Sequence, residues 1–234
     1  MAFAAHLALR RLCPSTISVY LASVRSLHIM AGLNNPIESC LRLRLLLKGI
    51  ARDNASAKRP RLPITFDVLS AMQQHLAPGR YYDHALLWSA LTMGFYGFLR
   101  CGEFLARSSR AVSPLKIEDV ELSHDRVALR LRHTKTHPTG VVHLSITRSG
   151  HAVCAVDALR HYLELCGHSS GPLFRTLSGS AIMREPFVNS IRLLCGCLGL
   201  DTSLYSRHSL RIGAVTTAAA RGLPDWLIKA LGCW

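Results

Sequence analysis

Apolar residues recur at helical spacing along nearly all of this chain, except in one block, residues 115–146, where the period drops to two. Leu115-Lys-Ile-Glu-Asp-Val-Glu-Leu122, Val127-Ala-Leu-Arg-Leu-Arg132 and Val141-Val-His-Leu-Ser-Ile146 alternate apolar with polar side chains, and they are split by His124-Asp125 and by Pro138-Thr-Gly140. Successive side chains leave a strand on opposite faces, so the pattern predicts a three-stranded antiparallel sheet with one buried side. The helical period holds before the block over 16–31, 36–50, 65–76 and 82–98, and returns after it over 154–166, 185–198, 207–221 and 224–231. One small sheet inserted in a helical chain predicts a mainly α fold of the α+β class and argues against a doubly wound α/β sheet.

Residues 51–63, polar, basic and broken by Pro60 and Pro63, read as a linker with a domain boundary near residue 58. Before it, Ile17, Tyr20, Leu21, Val24, Leu27 and Ile29 mark a helix capped by Ser15 or Thr16 and stopped at Gly32. Pro36 starts a second helix, with Arg42, Arg44, Lys48 and Arg52 on its polar surface. Two short helices make little core, so residues 1–58 read as a small helical module or the remainder of a larger one. After the linker, Thr65 caps the next helix and Pro78-Gly79 breaks it.

The chain has 28 Lys and Arg against 14 Asp and Glu in 234 residues, a formal net charge of +14. A polyanion is the natural partner, with nucleic acid ahead of an anionic membrane. If roughly six to eight phosphates are neutralised, binding falls by orders of magnitude between low and physiological salt. The longest uncharged run, Ala85–Leu99, is too short to span a bilayer and reads as a buried helix. The first acidic residue is Glu38, so the start of the chain also resembles an organellar transit peptide, although a DNA-facing helix pair explains it as well. The eight cysteines contain no C-x-x-C pair and the histidines are scattered, which argues against a metal site and for free thiols in a reducing compartment. Neither Gly-x-x-x-x-Gly-Lys-Ser/Thr nor Gly-x-Ser-x-Gly occurs, so no cofactor or small-molecule substrate is indicated.

Five residues form a donor set suited to one phosphodiester. Arg100, at the end of an apolar helix, can be held by Glu103 three residues on, leaving a planar guanidinium to grip phosphate. Lys135 lies at the tip of the second hairpin, where an ammonium could protonate a departing alkoxide. His208 and Arg211, three apart near a helix start, share one face. Trp234 closes a short helix and offers a neutral indole N–H. Taken singly, each has an ordinary structural reading: a surface ion pair, a turn lysine, a chance His-x-x-Arg and an apolar contact.

In order, these residues resemble the active-site series of the tyrosine recombinases, the phage-integrase family. Thr16-Ile-Ser-Val-Tyr20 resembles the end of that family's core-binding domain, and Lys58-Arg-Pro-Arg-Leu-Pro-Ile-Thr65 the start of its catalytic domain. Phe98-Leu-Arg-Cys-Gly-Glu-Phe104, Lys135, His208-Ser-Leu-Arg211 and Leu231-Gly-Cys-Trp234 resemble its first arginine segment, hairpin lysine, His-x-x-Arg box and His/Trp position. The resemblance implies a partial helical core-binding domain over 1–58 and a C-terminally incomplete catalytic domain over 59–234. It implies that Arg100, Arg211, His208 and Trp234 stabilise a pentacoordinate phosphorane while Lys135 acts as general acid, with neither ATP nor metal. The implied partner is double-stranded DNA, bound as a homo-oligomer, in a nuclear or cytoplasmic protein derived from a mobile element. The family's nucleophilic tyrosine follows the His/Trp position, and here the sequence stops at Trp234. The expectation is therefore a DNA-binding protein with a phosphate-activating pocket and no covalent chemistry of its own. Two alternatives stay open: an active recombinase whose tyrosine comes in trans or from sequence beyond Trp234, and an unrelated basic helical binding or organellar protein.

Overall fold

The computed structural model describes residues 1–38, 40–53, 60–108, 111–112, 114–132, 134 and 140–232. The chain divides into two compact units, Met1–Arg59 and Pro60–Trp234.

Among its described residues the first unit holds three helices, α1 (Ala2–Leu9), α2 (Pro14–Met30) and α3 (Leu41–Asp53), where the sequence predicts two. α1 escapes a periodicity reading because it is apolar almost all round and has no polar face to contrast with. Ala4 and Leu7 from it join Ile17, Leu21, Leu43 and Ile50 in a small core. α2 starts earlier than expected. Cys13, not Ser15 or Thr16, is its N-cap, and Pro14 occupies the first turn, where its missing N–H costs nothing. α3 begins at Leu41 rather than Pro36. Asn35 Oδ1 accepts the Ile37 N–H at 3.1 Å, which makes 35–37 a side-chain-stabilised turn instead of a helix start. α3 also runs through residues 51–53, which the sequence assigns to the linker.

The second unit starts with an extended segment bound to the far end of the chain. Arg61 Nη1 donates to Ser203 O (2.6 Å), Leu62 N–H to Leu204 O (2.9 Å), and Ile64 N–H to Ser209 O (2.9 Å). Residues 61–64 are thus fixed in place and are not linker. Thr65 caps α4 (Phe66–Gln73) as expected, and the Phe66 N–H donates to Thr217 Oγ1 at 3.1 Å. Gly213 makes this approach feasible: a Cβ there would fall 1.7 Å from Ile64 O. Behind α4, α5 (Tyr82–Tyr96) is buried on nearly every side and ends two residues short of the expected Phe98.

The predicted sheet is present, with strands β1 (Val120–Leu122), β2 (Arg126–Leu131) and β3 (Val142–Thr147), antiparallel in the order β1-β2-β3. Val127 pairs with Ile146 and Leu129 with Leu144, so one face of β2 turns into the core while Arg126 and Arg130 face outward. The first strand is shorter than expected because Ile117–Asp119 form a 3-10 turn. α6 (Cys101–Phe104) lies between α5 and the sheet. α7 (Ala155–Cys166), α8 (Arg184–Cys197), α9 (Ser209–Ala220) and α10 (Asp225–Leu231) follow it close to their predicted limits. α7 ends where Gly167 adopts φ +62°, a left-handed stop. Among the described residues no helix is long and apolar enough to cross a membrane, and no three His, Cys, Asp or Glu side chains group to hold a metal ion. The seven described cysteines are free thiols.

The contact between Ile64 and Gly213 is backbone against backbone and cannot relax by a rotamer change. Gly213→Ala is expected to cost about 3 kcal/mol or more, beyond the usual overpacking range, because the segment 61–66 must detach from α9. Urea unfolding checks this: a variant within about 0.5 kcal/mol of the parent would show that the close approach is not needed.

Candidate functional site

α5 ends in a turn that aims the next segment. Gly97 N–H and Leu99 N–H donate back to Met93 O and Gly94 O, both at 3.0 Å, and Phe98 between them adopts φ +51°. A non-glycine residue in the left-handed region costs of order 1 kcal/mol and persists only where its surroundings hold it. Here Arg211 holds it, donating from Nη1 to Phe98 O at 2.6 Å. A side chain at Gly97 would meet Met93 O at 2.9 Å and Leu144 at 3.0 Å, so the turn is closely packed from both sides.

The turn delivers Arg100, which stands at the N-cap of α6 rather than at the end of α5. Glu103 grips it twice, accepting the backbone N–H on Oε2 (2.7 Å) and Nη1 on Oε1 (2.9 Å). The sequence reading of this pair is correct in geometry. Glu103 is 7% exposed, so the pair neutralises a carboxylate that could not otherwise stay buried. Next along, Cys101 donates its S–H to Arg207 O at 3.1 Å, tying α6 to the start of α9. Burial pushes this thiol up to about 12, which keeps it protonated as a donor.

His208 is the N-cap of α9 and is exposed; Arg211, one turn on, is 7% exposed. Arg207 Nε donates to His208 Nε2 at 3.2 Å. Arg211 reaches across to two other elements, donating from Nη1 to Phe98 O and from Nη2 to Gly232 O just after α10. His208 and Arg211 line a cavity of about 390 Å³ with Ile212, Val215 and Thr216. Arg211 also lines a second, smaller cleft together with Glu103, Thr134, Leu144 and Gly232.

Arg211 therefore sits where the segment carrying Arg100, the base of the second hairpin and the end of α10 meet. Lys135 and Trp234 lie outside the described residues; Thr134 and Gly232, one and two positions away, line the same cleft as Arg211. The sequence reading missed Cys101 and Arg207. Each directly follows or precedes a residue it singled out, and nothing in their spacing distinguishes them.

Asp119 fixes the strand that leads toward Thr134. Its buried carboxylate accepts from Arg132 Nη2 (2.7 Å), Arg132 Nε (2.8 Å), Arg130 Nε (3.3 Å) and the Lys116 N–H (3.3 Å). Burial raises its pKa, but the Arg132 hydrogen bond, the Lys116 N–H, the Arg132 charge and Arg130 together outweigh it, and the net shift is downward.

No known family profile matches this sequence. The fold is that of the tyrosine recombinases. The sequence is similar to an integrase/recombinase XerD homologue of Selenomonas ruminantium, 26% identical over 221 residues that make up 88% of this chain. It spans 60% of that relative's length. Among solved structures, the fold is similar to the Tn1549 transposon integrase in complex with circular intermediate DNA (TM-score 0.66, 12% identity, 100% of this chain and 75% of that one). It is also similar to the XerH site-specific recombinase bound to a palindromic difH substrate (TM-score 0.60, 17% identity, 98% and 65%) and to XerA recombinase (TM-score 0.54, 16% identity, 94% and 73%). The family resemblance read from the sequence thus stands in both sequence and fold.

Two outcomes follow from the geometry. Arg211→Lys retains the charge but cannot bridge two carbonyls with a planar fork, and is expected to lower stability by about 1–3 kcal/mol in urea unfolding. Asp119 has a folded pKa below its unfolded value near ~3.9, so its contribution is present above that pH and is lost as pH falls through the folded value. Thermal melting from about pH 6 down to about pH 3 should show a steeper loss for the parent than for Asp119→Asn, and parallel curves would refute the assignment.

Proposed function

We propose that the chain is a DNA-binding protein of the tyrosine recombinase and integrase type, acting in DNA recombination and integration and derived from a mobile element. In this reading residues 1–58 are a core-binding module and residues 59–234 a catalytic-type domain. Arg100, Lys135, His208, Arg211 and Trp234 surround the scissile phosphate. The observation that carries the reading is the Arg211 guanidinium, which binds the carbonyl two residues before Arg100 and so draws the two arginine segments of the sequence reading together. Thr134 and Gly232 on the same cleft support including Lys135 and Trp234, their near neighbours in sequence. The donors are cationic or neutral N–H groups, suited to the charge that develops on non-bridging phosphate oxygens during attack.

The DNA partner rests on charge as well as likeness. The Tn1549 integrase and XerH relatives were solved with DNA. In this chain Met1–Arg59 alone carries nine Lys and Arg against Glu38 and Asp53. On α3, Arg44, Lys48 and Arg52 recur every four residues, all exposed, and form one basic stripe. The protein is read as nuclear or cytoplasmic and as a homo-oligomer on DNA.

No tyrosine lines either cleft beside Arg211. Tyr82, Tyr96 and Tyr162 donate to backbone carbonyls elsewhere, and Tyr205 is buried. The 234 residues by themselves are therefore read as binding without forming a phosphotyrosyl bond.

An electrophoretic shift on a duplex, repeated over a salt series, is expected to give a log–log slope of about −6, from roughly six to eight phosphates. Replacing Arg44 and Lys48 by Gln should flatten that slope by about 2. A slope near zero would favour the unrelated helical protein. A nicked suicide duplex should yield no covalent 3′ adduct; recovery of one would instead support an active recombinase using a tyrosine in this chain or its partner copy.

A further inference from the structure

Arg207 stands immediately before the His208-Ser-Leu-Arg211 box, and its side chain is turned onto the histidine. Its Nε donates to His208 Nε2 at 3.2 Å. A guanidinium has no acceptor and can only donate, so this contact requires Nε2 to carry no proton. The ring is then neutral, with its one proton on Nδ1.

The backbone beneath the pair is fixed from three sides. Cys101 Sγ donates to Arg207 O at 3.1 Å, and Ile64 N–H donates to Ser209 O at 2.9 Å. Between them the Ser206 N–H donates to Ser209 Oγ at 2.9 Å and the Ser209 N–H returns to Ser206 O at 3.0 Å. His208 itself adopts φ −98° and ψ −13°, in the sparsely populated bridge between the helical and extended regions. With the main chain held, what is left to set at His208 is the orientation and protonation of its ring. Both side chains are exposed, so a phosphate can reach them.

The charges around the ring oppose a second proton. Arg207 bonds it, Arg211 lines the same cavity, and Arg184 from α8 acts together with Arg207 on the adjoining Cys101 thiol. Glu103 from α6 also acts on that thiol, but its carboxylate is already bound by Arg100. Lys135 and Trp234 lie outside the described residues. A like charge disfavours the charged form, so these guanidiniums favour the neutral imidazole.

We propose that Arg207 is a positioning residue, holding His208 neutral with its ring proton on Nδ1, so that the ring meets a phosphodiester as a hydrogen-bond donor and not as a further cation. This rests on the DNA reading above. The anionic oxygens are then matched by the cationic Arg100 and Arg211 and by a neutral N–H, whose direction is set before DNA arrives.

The test reads the imidazole nitrogens of the full chain by NMR, with His208 assigned through the signal lost in His208→Gln. No DNA is involved, so failure here leaves the proposed function standing, whereas duplex binding without salt dependence would sink that function and leave the tautomer as it is. Above its titration range the parent His208 should carry the proton on Nδ1 and none on Nε2. Arg207→Met removes both donor and charge: an Nε2–H form should appear, and the His208 midpoint should rise by about half a unit. Arg207→Lys keeps the charge and should hold the midpoint near that of the parent. Among the described residues the Arg207 side chain bonds only His208, so urea unfolding of Arg207→Met should match the parent and separate positioning from stability. If Arg207→Met does not fold, the parent spectrum decides alone. A parent ring protonated on Nε2, or an Arg207→Met variant with the tautomer and midpoint of the parent, would overturn the proposal.

Discussion

The arrangement around the site depends on one buried guanidinium. Arg211 donates to Phe98 O and Gly232 O and thereby joins α9 to the turn after α5 and to the end of α10. Both carbonyls lie just past helix C-termini, those of α5 and α10, where the backbone has no helical partner to offer and a strong donor satisfies an otherwise orphaned acceptor. The exchange works in both directions: helix ends carry partial negative charge, so they also stabilise the buried cation. A neutral donor of the same reach would satisfy the carbonyls less strongly, and a lysine could not span them.

That contact explains how a strained turn can persist beside a reactive-looking cluster. Phe98 at φ +51° sits between α5, locked into the core on nearly all sides, and α6, held through Cys101 to Arg207. With both ends and the Phe98 carbonyl fixed, the strain cannot dissipate by unwinding either helix. Arg100 then takes its direction from Glu103, whose two carboxylate oxygens bind its backbone and its side chain at once. The backbone bond fixes where the residue begins and the ion pair fixes where it points.

Much of this was legible in the sequence, for reasons that differ by element. The sheet is visible because β2 buries one face only, so Val127, Leu129 and Leu131 alternate with exposed Arg126, half-buried Ala128 and exposed Arg130. α7 and α8 are visible because each has an apolar stripe and a polar face. α1 is not, since a helix of mostly Ala and Leu carries no phase to detect, and α3 starts late because Asn35 diverts the backbone into a turn that Pro36 alone would not predict. At the proposed site, Arg100, His208 and Arg211 are singled out by residue type and spacing. Their partners are not, because Arg211 binds main-chain carbonyls and Cys101 binds a carbonyl at position 207, and a backbone acceptor leaves no mark on composition. The need for Gly213 is hidden for the same reason: what it avoids is the Ile64 carbonyl, and any residue at 64 would present one.

The two units use their positive charge differently, which bears on how a polyanion would meet them. In Pro60–Trp234 the arginines are largely engaged internally: Arg100 with Glu103, Arg130 and Arg132 with Asp119, Arg148 and Arg160 with Asp157, Arg211 with carbonyls. In Met1–Arg59 no described cation takes part in an ion pair, and the first 59 residues hold half of the net charge of the chain. Exposed cations without carboxylate partners keep their field out to about a Debye length, whereas paired ones largely cancel beyond their own separation. On the proposed reading, then, the small helical unit supplies half of the net positive charge from about a quarter of the residues, and so the denser attraction to phosphate. The larger unit commits Arg100, Arg130, Arg132, Arg148, Arg160 and Arg211 to internal partners and leaves Arg80, Arg107, Arg126 and Lys229 exposed and outside any described ion pair. On that reading both units share the sequence-independent attraction, densest in the first, while the donors proposed for phosphate chemistry lie in the second, a difference set by where the fold spends its arginines.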